Sequence, residues 1–329
     1  MKHVQSDKYL GQFVEADGSN SINIEDKYNK GIGMSCQVLS LLSEISLGHY
    51  YFDTGLLLRD TNIVNVILFG AEALYGITKK QIEILHSVDL HFLRKLFNAS
   101  LSTAKEAFHL ETGKIPVAFT LVSRRLMFWR HIVSNDTSSL LFKFYNIQKS
   151  CRVKNDWVVQ IEKDKNEIGL SLSDEDVATM SKWRFKKLLR QKIRDAALQH
   201  LNNQALAHSK SIALVKTELK CEDYITDTRF SVSEVQLLFR LRTRTFPVKE
   251  NLKNKYRDDL SCEFCRIGYS TQQHQLECPV IKKFVPELAE QQCNYSDIFG
   301  TVEDQLRIVK TYSEISRRRE ILLESMSLK

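Results

Sequence analysis

Glycine and proline are scarce, at 12 and 4 in 329 residues. Turn-rich all-β folds draw heavily on both, so that class is excluded, and so are long flexible linkers. No secretory leader is expected either, because MKHVQSDKYL has no apolar run after its first cation. The most apolar window, NIVNVILFGAEALYGI, is interrupted by Asn65 and Glu72 and is too short to cross a bilayer, so no membrane partner is expected. Missing too are a glycine-rich phosphate loop, Gly-x-Ser-x-Gly and His-Glu-x-x-His, and no residue is given a catalytic role. Cysteine is present but odd in number, 7 in all. Without a leader, that count fits reduced thiols and an intracellular location, nucleus or cytoplasm.

What the chain does have is length, charge and helical periodicity. Its 43% hydrophobic and 26% charged content is ordinary for a globular protein, with room for two or three compact units. The segment KYLGQFVEADGSNSINI alternates apolar and polar residues around Asp17-Gly18, which predicts a β-hairpin turning at ADGSN. From about residue 25 the period becomes helical. Val38, Leu41, Leu42 and Ile45 share one face; Ile63, Ile67, Ala71 and Leu74 another; Ile82, Leu85, Phe92, Leu93 and Leu96 a third. The Gly113–Pro116 stretch interrupts the pattern, and a helix with Leu121, Leu126, Phe128 and Trp129 follows. Residues 156–172 read as an irregular surface connection, and Ser173 to Asp176 as a capping box that opens a helix. The expected class is mainly α, in five segments: a hairpin (1–24), a helical bundle (25–112), a basic helical linker region (113–230), a basic strip with a cysteine cluster (231–285) and a helical tail (286–329).

The cluster is Cys262-x2-Cys265-x8-His274-x3-Cys278. A Cys-x-x-Cys turn brings two thiolates onto one ion, and His-x-x-x-Cys sets two more ligands one helical turn apart. Four soft or borderline donors without a carboxylate suit a closed tetrahedral Zn²⁺ site, structural because no position is left for water. Phe264, Tyr269 and Leu276 are the candidate core of this small unit, which needs metal to fold.

Residues 182–220 hold ten cations against two acids, a local net of +8. Lys182, Arg184, Lys186, Lys187, Arg190, Lys192 and Arg194 lie in its first third, with Trp183 and Phe185 between them. A solvated helix face explains such a run; so does a phosphate-tracking helix whose aromatics pack inward or stack on bases. A second basic stretch, FRLRTRTFPVKENLKNKYRDD, leads into the cysteines. In an extended segment Arg240, Arg242 and Arg244 fall on one side, matched to a phosphate backbone or to an ion-pair row with Glu222, Asp223 or Glu234; Lys249, Lys253 and Lys255 extend the strip. Two basic stretches beside a zinc knuckle point to RNA or DNA as partner.

Tyr256-Arg257-Asp258-Asp259 resembles the Tyr-x-Asp-Asp signature of polymerases but lacks its chemistry. Two Mg²⁺ need both carboxylates on a hairpin between apolar strands plus an upstream acid. Here the flanks are NLKNK and LSCEFC. A different likeness spans the chain. Lys8-Tyr9-Leu10-Gly11 resembles the motif after the catalytic palm strands of reverse transcriptases. KGIGMSCQVLSLLSEISLG and LRDTNIVNVILFGAEALYGITKKQIEILHSVDLHFLRKLF look like the helical thumb of non-LTR retrotransposon polymerases. ETGKIPVAFTLVSRRLMFWRHI, NDW, SKWRFKKLLR, LLFRLRTRTFPVKENLK and the cysteine cluster resemble, in order, the post-polymerase part of the same proteins. The resemblance implies that residues 1–24 end a polymerase palm and that 25–112 are a thumb-like region. It places the catalytic aspartates upstream of Lys8, and it implies a non-enzymatic C-terminal fragment that binds template, with the rest of such a polymerase as a further partner. The alternative is a zinc-stapled helical module that binds protein, a domesticated or remnant copy.

Overall fold

The computed structural model describes residues 6–9, 12–15, 18–74, 76–151, 153, 156–208, 211–252, 259–285 and 293–327. Two short strands, β1 (Ser6–Tyr9) and β2 (Gln12–Glu15), pair antiparallel with Tyr9 opposite Gln12. The reversal therefore falls between Tyr9 and Gln12, one turn earlier than the Asp17-Gly18 expected from the sequence. Gly18 instead closes the link into the first helix, its N–H donating to the Glu15 carbonyl at 3.0 Å. Asn23 fastens the hairpin to that helix by accepting the Phe13 N–H at 2.7 Å and donating to the Phe13 carbonyl.

The rest is helical, as the periodicity predicts. Helix α1 (Ser21–Glu44) starts four residues before its expected position and packs on α4 (Lys79–Leu96). Between them α2 (Tyr51–Leu58) passes through a π-helical turn, Arg59–Ile63, into α3 (Val64–Ile67). An extra residue in a helical turn redirects side chains, and here the turn sends Arg59 into the interior, 2% exposed. Helix α5 (Lys105–Thr112) is buried from Glu106 to its end, and Gly113 terminates it in the left-handed region.

Helices α6 (Val117–Val133), α7 (Leu140–Cys151), α8 (Trp157–Glu167), α9 (Asp174–Thr179) and α10 (Lys182–Ala207) enclose a second core around Trp129, Trp157, Phe185 and Leu189. Helix α8 replaces the irregular connection expected over 156–172. Asp156 caps it by accepting the Trp157 N–H at 2.6 Å, and Trp157, Val158 and Ile161 face inward. The Ser173–Asp176 capping box forms at the start of α9.

The chain then returns to the first core. Thr112 and Cys221 form an antiparallel bridge, and the Glu222 N–H donates to the Glu111 carbonyl at 2.9 Å. Gly113 sits against this return strand so closely that a Cβ would lie 2.5 Å from the Cys221 nitrogen. Helix α11 (Asp223–Thr226), helix α12 (Val232–Arg242), the cysteine region and the C-terminal helix (Val302–Ser327) complete the first core with Tyr224, Phe239, Phe264, Leu276 and Tyr312. Packing thus joins the second, fourth and fifth sequence segments, with Val117, Leu121, Tyr224, Ile225 and Phe230 of the third, in one core and gathers most of the third segment in the other. Among the described residues, no helix is long and apolar enough to cross a membrane.

Candidate metal centre and nucleic-acid interface

The cysteine region is shaped by short-range hydrogen bonds. An antiparallel bridge between Ser261 and Tyr269 closes a loop, inside which the Cys262 N–H donates to the Gly268 carbonyl at 2.6 Å. The Arg266 N–H returns to the Cys262 carbonyl at 2.9 Å, with Arg266 itself in the left-handed region at φ 57°. A Cβ at Gly268 would stand 2.8 Å from the His274 ring, so any larger residue there would displace the imidazole. Thr271 caps helix α13 (Gln272–Glu277) by accepting the His274 N–H at 2.9 Å, which places His274 in its first turn. Cys278 ends α13 and begins α14 (Pro279–Phe284).

These elements bring Cys262, Cys265, His274 and Cys278 together, with all four ligand atoms within 4.8 Å of one another. The Cys262 and Cys278 sulfurs are 3.9 Å apart. A tetrahedral ion with metal–sulfur bonds of about 2.3 Å requires about 3.8 Å. The Cys265 sulfur lies 3.2 Å from His274 Nε2. Burial pushes the Cys278 thiol up, to about 12 without metal. At Cys265 burial acts in the same direction but is outweighed by the backbone N–H groups of Ile267 and Gly268 and by His274, which bring the thiol down to about 6. Thiolates held by backbone N–H donors are the outer-shell arrangement a metal site uses. The quartet is therefore compatible with a metal ion. Its surroundings differ from a free-standing knuckle. Phe264 and Leu276 are buried in the main core, whereas Tyr269 is 72% exposed and contributes nothing to it. Gln272 donates to the Leu241 carbonyl at 3.2 Å and accepts from the Tyr312 hydroxyl at 2.5 Å, tying the cluster to α12 and the C-terminal helix.

The two basic stretches have different fates. On α10 a seam of Phe185, Leu189, Ile193 and Ala197 packs inward, leaving Lys182, Arg184, Lys186, Lys187 and Arg190 exposed. No ion pair joins any of these five to a carboxylate among the described residues. Lys192 and Arg194 are half-buried, and Arg194 donates to the Leu219 carbonyl. Phe185 is a core residue, but Trp183 is 71% exposed with Lys187 Nζ 5.3 Å from its ring centre.

In the second stretch the extended row is replaced by the end of α12, so Arg240, Arg242 and Arg244 no longer share a side. Arg242 is buried against Glu111 at 2.9 Å and Glu222 at 2.8 Å, with its remaining donor on the Ile298 carbonyl, and is removed from the nucleic-acid contacts. Arg240 is half-buried and donates to the Gln236 carbonyl at 3.3 Å. Arg244 is exposed, and Lys249 pairs with Asp259 at 2.7 Å. Lys253 and Lys255 lie outside the described residues, as does most of the Tyr256–Asp259 motif.

One cluster has no counterpart in the sequence reading: His86 and Asp89 on α4 meet His109 on α5. The pattern His-x-x-Asp on one helix face was its only sequence signal. Comparison of the whole chain with protein-family models, curated proteins and solved structures yields no match.

Proposed function

We propose that this chain binds nucleic acid along the outer face of α10, with Zn²⁺ held by Cys262, Cys265, His274 and Cys278 as a structural clamp. The observation that supports the reading best is the exposed set Lys182, Arg184, Lys186, Lys187 and Arg190 around an outward Trp183. Cations without carboxylate partners bring no competing anion, and an open indole adds a stacking surface that a merely solvated helix does not need. Arg244 extends the same chemistry toward the cysteines. Zinc fits the quartet because thiolate and imidazole donors in tetrahedral reach exclude the hard cations, and thiolates imply a reducing compartment, nucleus or cytoplasm. The ordered likeness to non-LTR reverse transcriptases supports a template-binding, non-catalytic role beside the polymerase of such an element, on RNA or DNA.

A salt titration with a structured RNA tests the reading. Binding should weaken with a log–log slope of about −0.7 to −0.9 per phosphate neutralised. Replacing Lys186, Lys187 and Arg190 together by alanine should make that slope shallower by about 2 to 3 and cost about 10- to 100-fold in affinity for all sequences alike. Affinity that ignores salt sinks the proposal.

A second reading, a protein-binding module, draws on α7, where Leu140, Phe144 and Ile147 are 73%, 64% and 55% exposed along one stripe. A defined protein partner retained after nuclease treatment, and lost with Phe144→Ser, would favour it.

A further inference from the structure

We infer that His86, Asp89 and His109 form a second divalent-metal site, of two-imidazole, one-carboxylate type, at the junction of the two cores. Two elements supply it. His86 and Asp89 stand three residues apart on α4, hence on one face, and α5 carries His109 up against them. The three ligand atoms lie within 4.8 Å of one another, and the two imidazole Nε2 atoms face each other at 2.9 Å.

The protonation pattern follows from the partners. His109 Nδ1 lies 3.1 Å from the Lys114 carbonyl, which can only accept, so the proton sits on Nδ1 and the Nε2 lone pair points at His86. In the metal-free state His86 Nε2–H must fill that position. A metal-binding histidine shows the same outer contact, its far N–H on a backbone carbonyl. Asp89 is likewise oriented from behind. Arg59 Nε and one terminal nitrogen hold its two oxygens at 2.6 and 2.7 Å, and a carboxylate oxygen keeps a further lone pair within reach of the histidines.

Charge decides which ion suits. Asp89 and Asp60 are balanced by Arg59 and Lys114, which pairs with Asp60 at 2.6 Å, so the pocket offers no surplus negative charge to a hard cation. Two imidazoles are then the principal donors, which favours a late first-row ion such as Zn²⁺ over Mg²⁺ or Ca²⁺. Two zinc–nitrogen bonds of about 2.0–2.1 Å at a tetrahedral angle set the nitrogens about 3.4 Å apart. From 2.9 Å the rings must separate by about 0.5 Å, a small movement. His86 is only partly buried and provides the entry side, whereas Asp89 and His109 are fully enclosed. The fourth position would belong to solvent on that side.

The test is metal stoichiometry of the full chain, loaded with Zn²⁺ and passed over a desalting column. Two zinc ions per chain are expected, falling to one in His86→Phe. With Co²⁺ in place of zinc, the thiolate charge-transfer band should be the same in both proteins, since only the cysteine quartet produces it. Cys265→Ser should weaken and shift that band, since Cys262 and Cys278 remain as its thiolates, while the histidine site keeps its ion, so failure of either site is read separately. If His86→Phe proves unfolded by circular dichroism, His86→Gln gives the same readout with the ring removed and a polar group retained. One zinc per chain in the parent protein, with the thiolate band present, overturns the inference and leaves a shared proton between the two rings.

Discussion

Helix α10 and the end of α12 carry similar cationic patterns in the sequence, yet the fold uses them in opposite ways. On α10 the inward positions are apolar at every fourth residue, so the cations between them are left in water. On α12 the helix is hemmed in by α5, α11 and the C-terminal region, and Arg242 is taken inside, where two carboxylates, a carbonyl and the rings of Tyr224 and Phe299 surround it. Its partner Glu111 is 131 residues away and has no exposed surface. A run of positive charge therefore describes a surface only where no buried acid faces it. The lesson has an energetic side, because an exposed cation contributes little to stability while a buried pair becomes costly once one member is lost.

That contrast can be broken most directly at Arg242. Arg242→Met should leave Glu111 buried with the Tyr224 hydroxyl but no counter-charge, lowering stability in urea denaturation by about 3–5 kcal/mol. Affinity per folded molecule for nucleic acid should stay the same. A stable variant that binds RNA poorly would place Arg242 back among the phosphate contacts.

Acid should separate the two regions next. His109, beside Glu111 in α5, has its pKa driven by burial from an ordinary value down to about 3. The unfolded chain takes up that proton near pH 6.5 and the native state does not, so stability falls as pH drops from about 6.5 toward 3, by up to about 1.4 kcal/mol per unit. Denaturation midpoints at a series of pH values check this. His109→Gln should flatten the slope, whereas alanine at the exposed α10 cations should leave it unchanged.

The smallest effect sharpens the α10 side alone. Trp183→Ala should weaken binding to single-stranded RNA by about 1–3 kcal/mol and binding to a duplex much less, because only an unpaired base offers its face. Fold stability should not change, since Trp183 contributes no core contact. Equal loss on both ligands would reduce Trp183 to a spacer between lysines.

Much of this was readable in advance, for local reasons. Helical periodicity located α4 and α6, since both have apolar faces several turns long, and Ser173 with Asp176 marked the start of α9 because a capping box is a contact between residues three apart. The metal quartet was legible for the same reason, its spacing being fixed by one turn and one short helix. What escaped depends on distant partners. Asp156 and Trp157 open a helix whose amphipathic pattern is short, and its inward face makes sense only once Trp157 donates to the Glu72 carbonyl at 2.8 Å. The hairpin signal was genuine, but Asp17-Gly18 imitated a turn that the pairing of Tyr9 with Gln12 had already made. Neither the Arg242–Glu111 pair nor the meeting of His86 with His109 has any signature within a local window.

The bridge between Thr112 and Cys221 has a consequence for how such a chain can change over time. It brings the departure and return of the polypeptide side by side, so residues 113–220 enter and leave through a single doorway. A block with adjoining ends can be lengthened, exchanged or deleted while the remaining framework needs only a short splice to stay connected. The charged α10 lies wholly inside that block, and the cysteine quartet wholly outside it. Selection can therefore retune one without disturbing the other, and the contacts of the block with the framework, α10 on α5 and α6 on α4, are where such changes have to be accommodated.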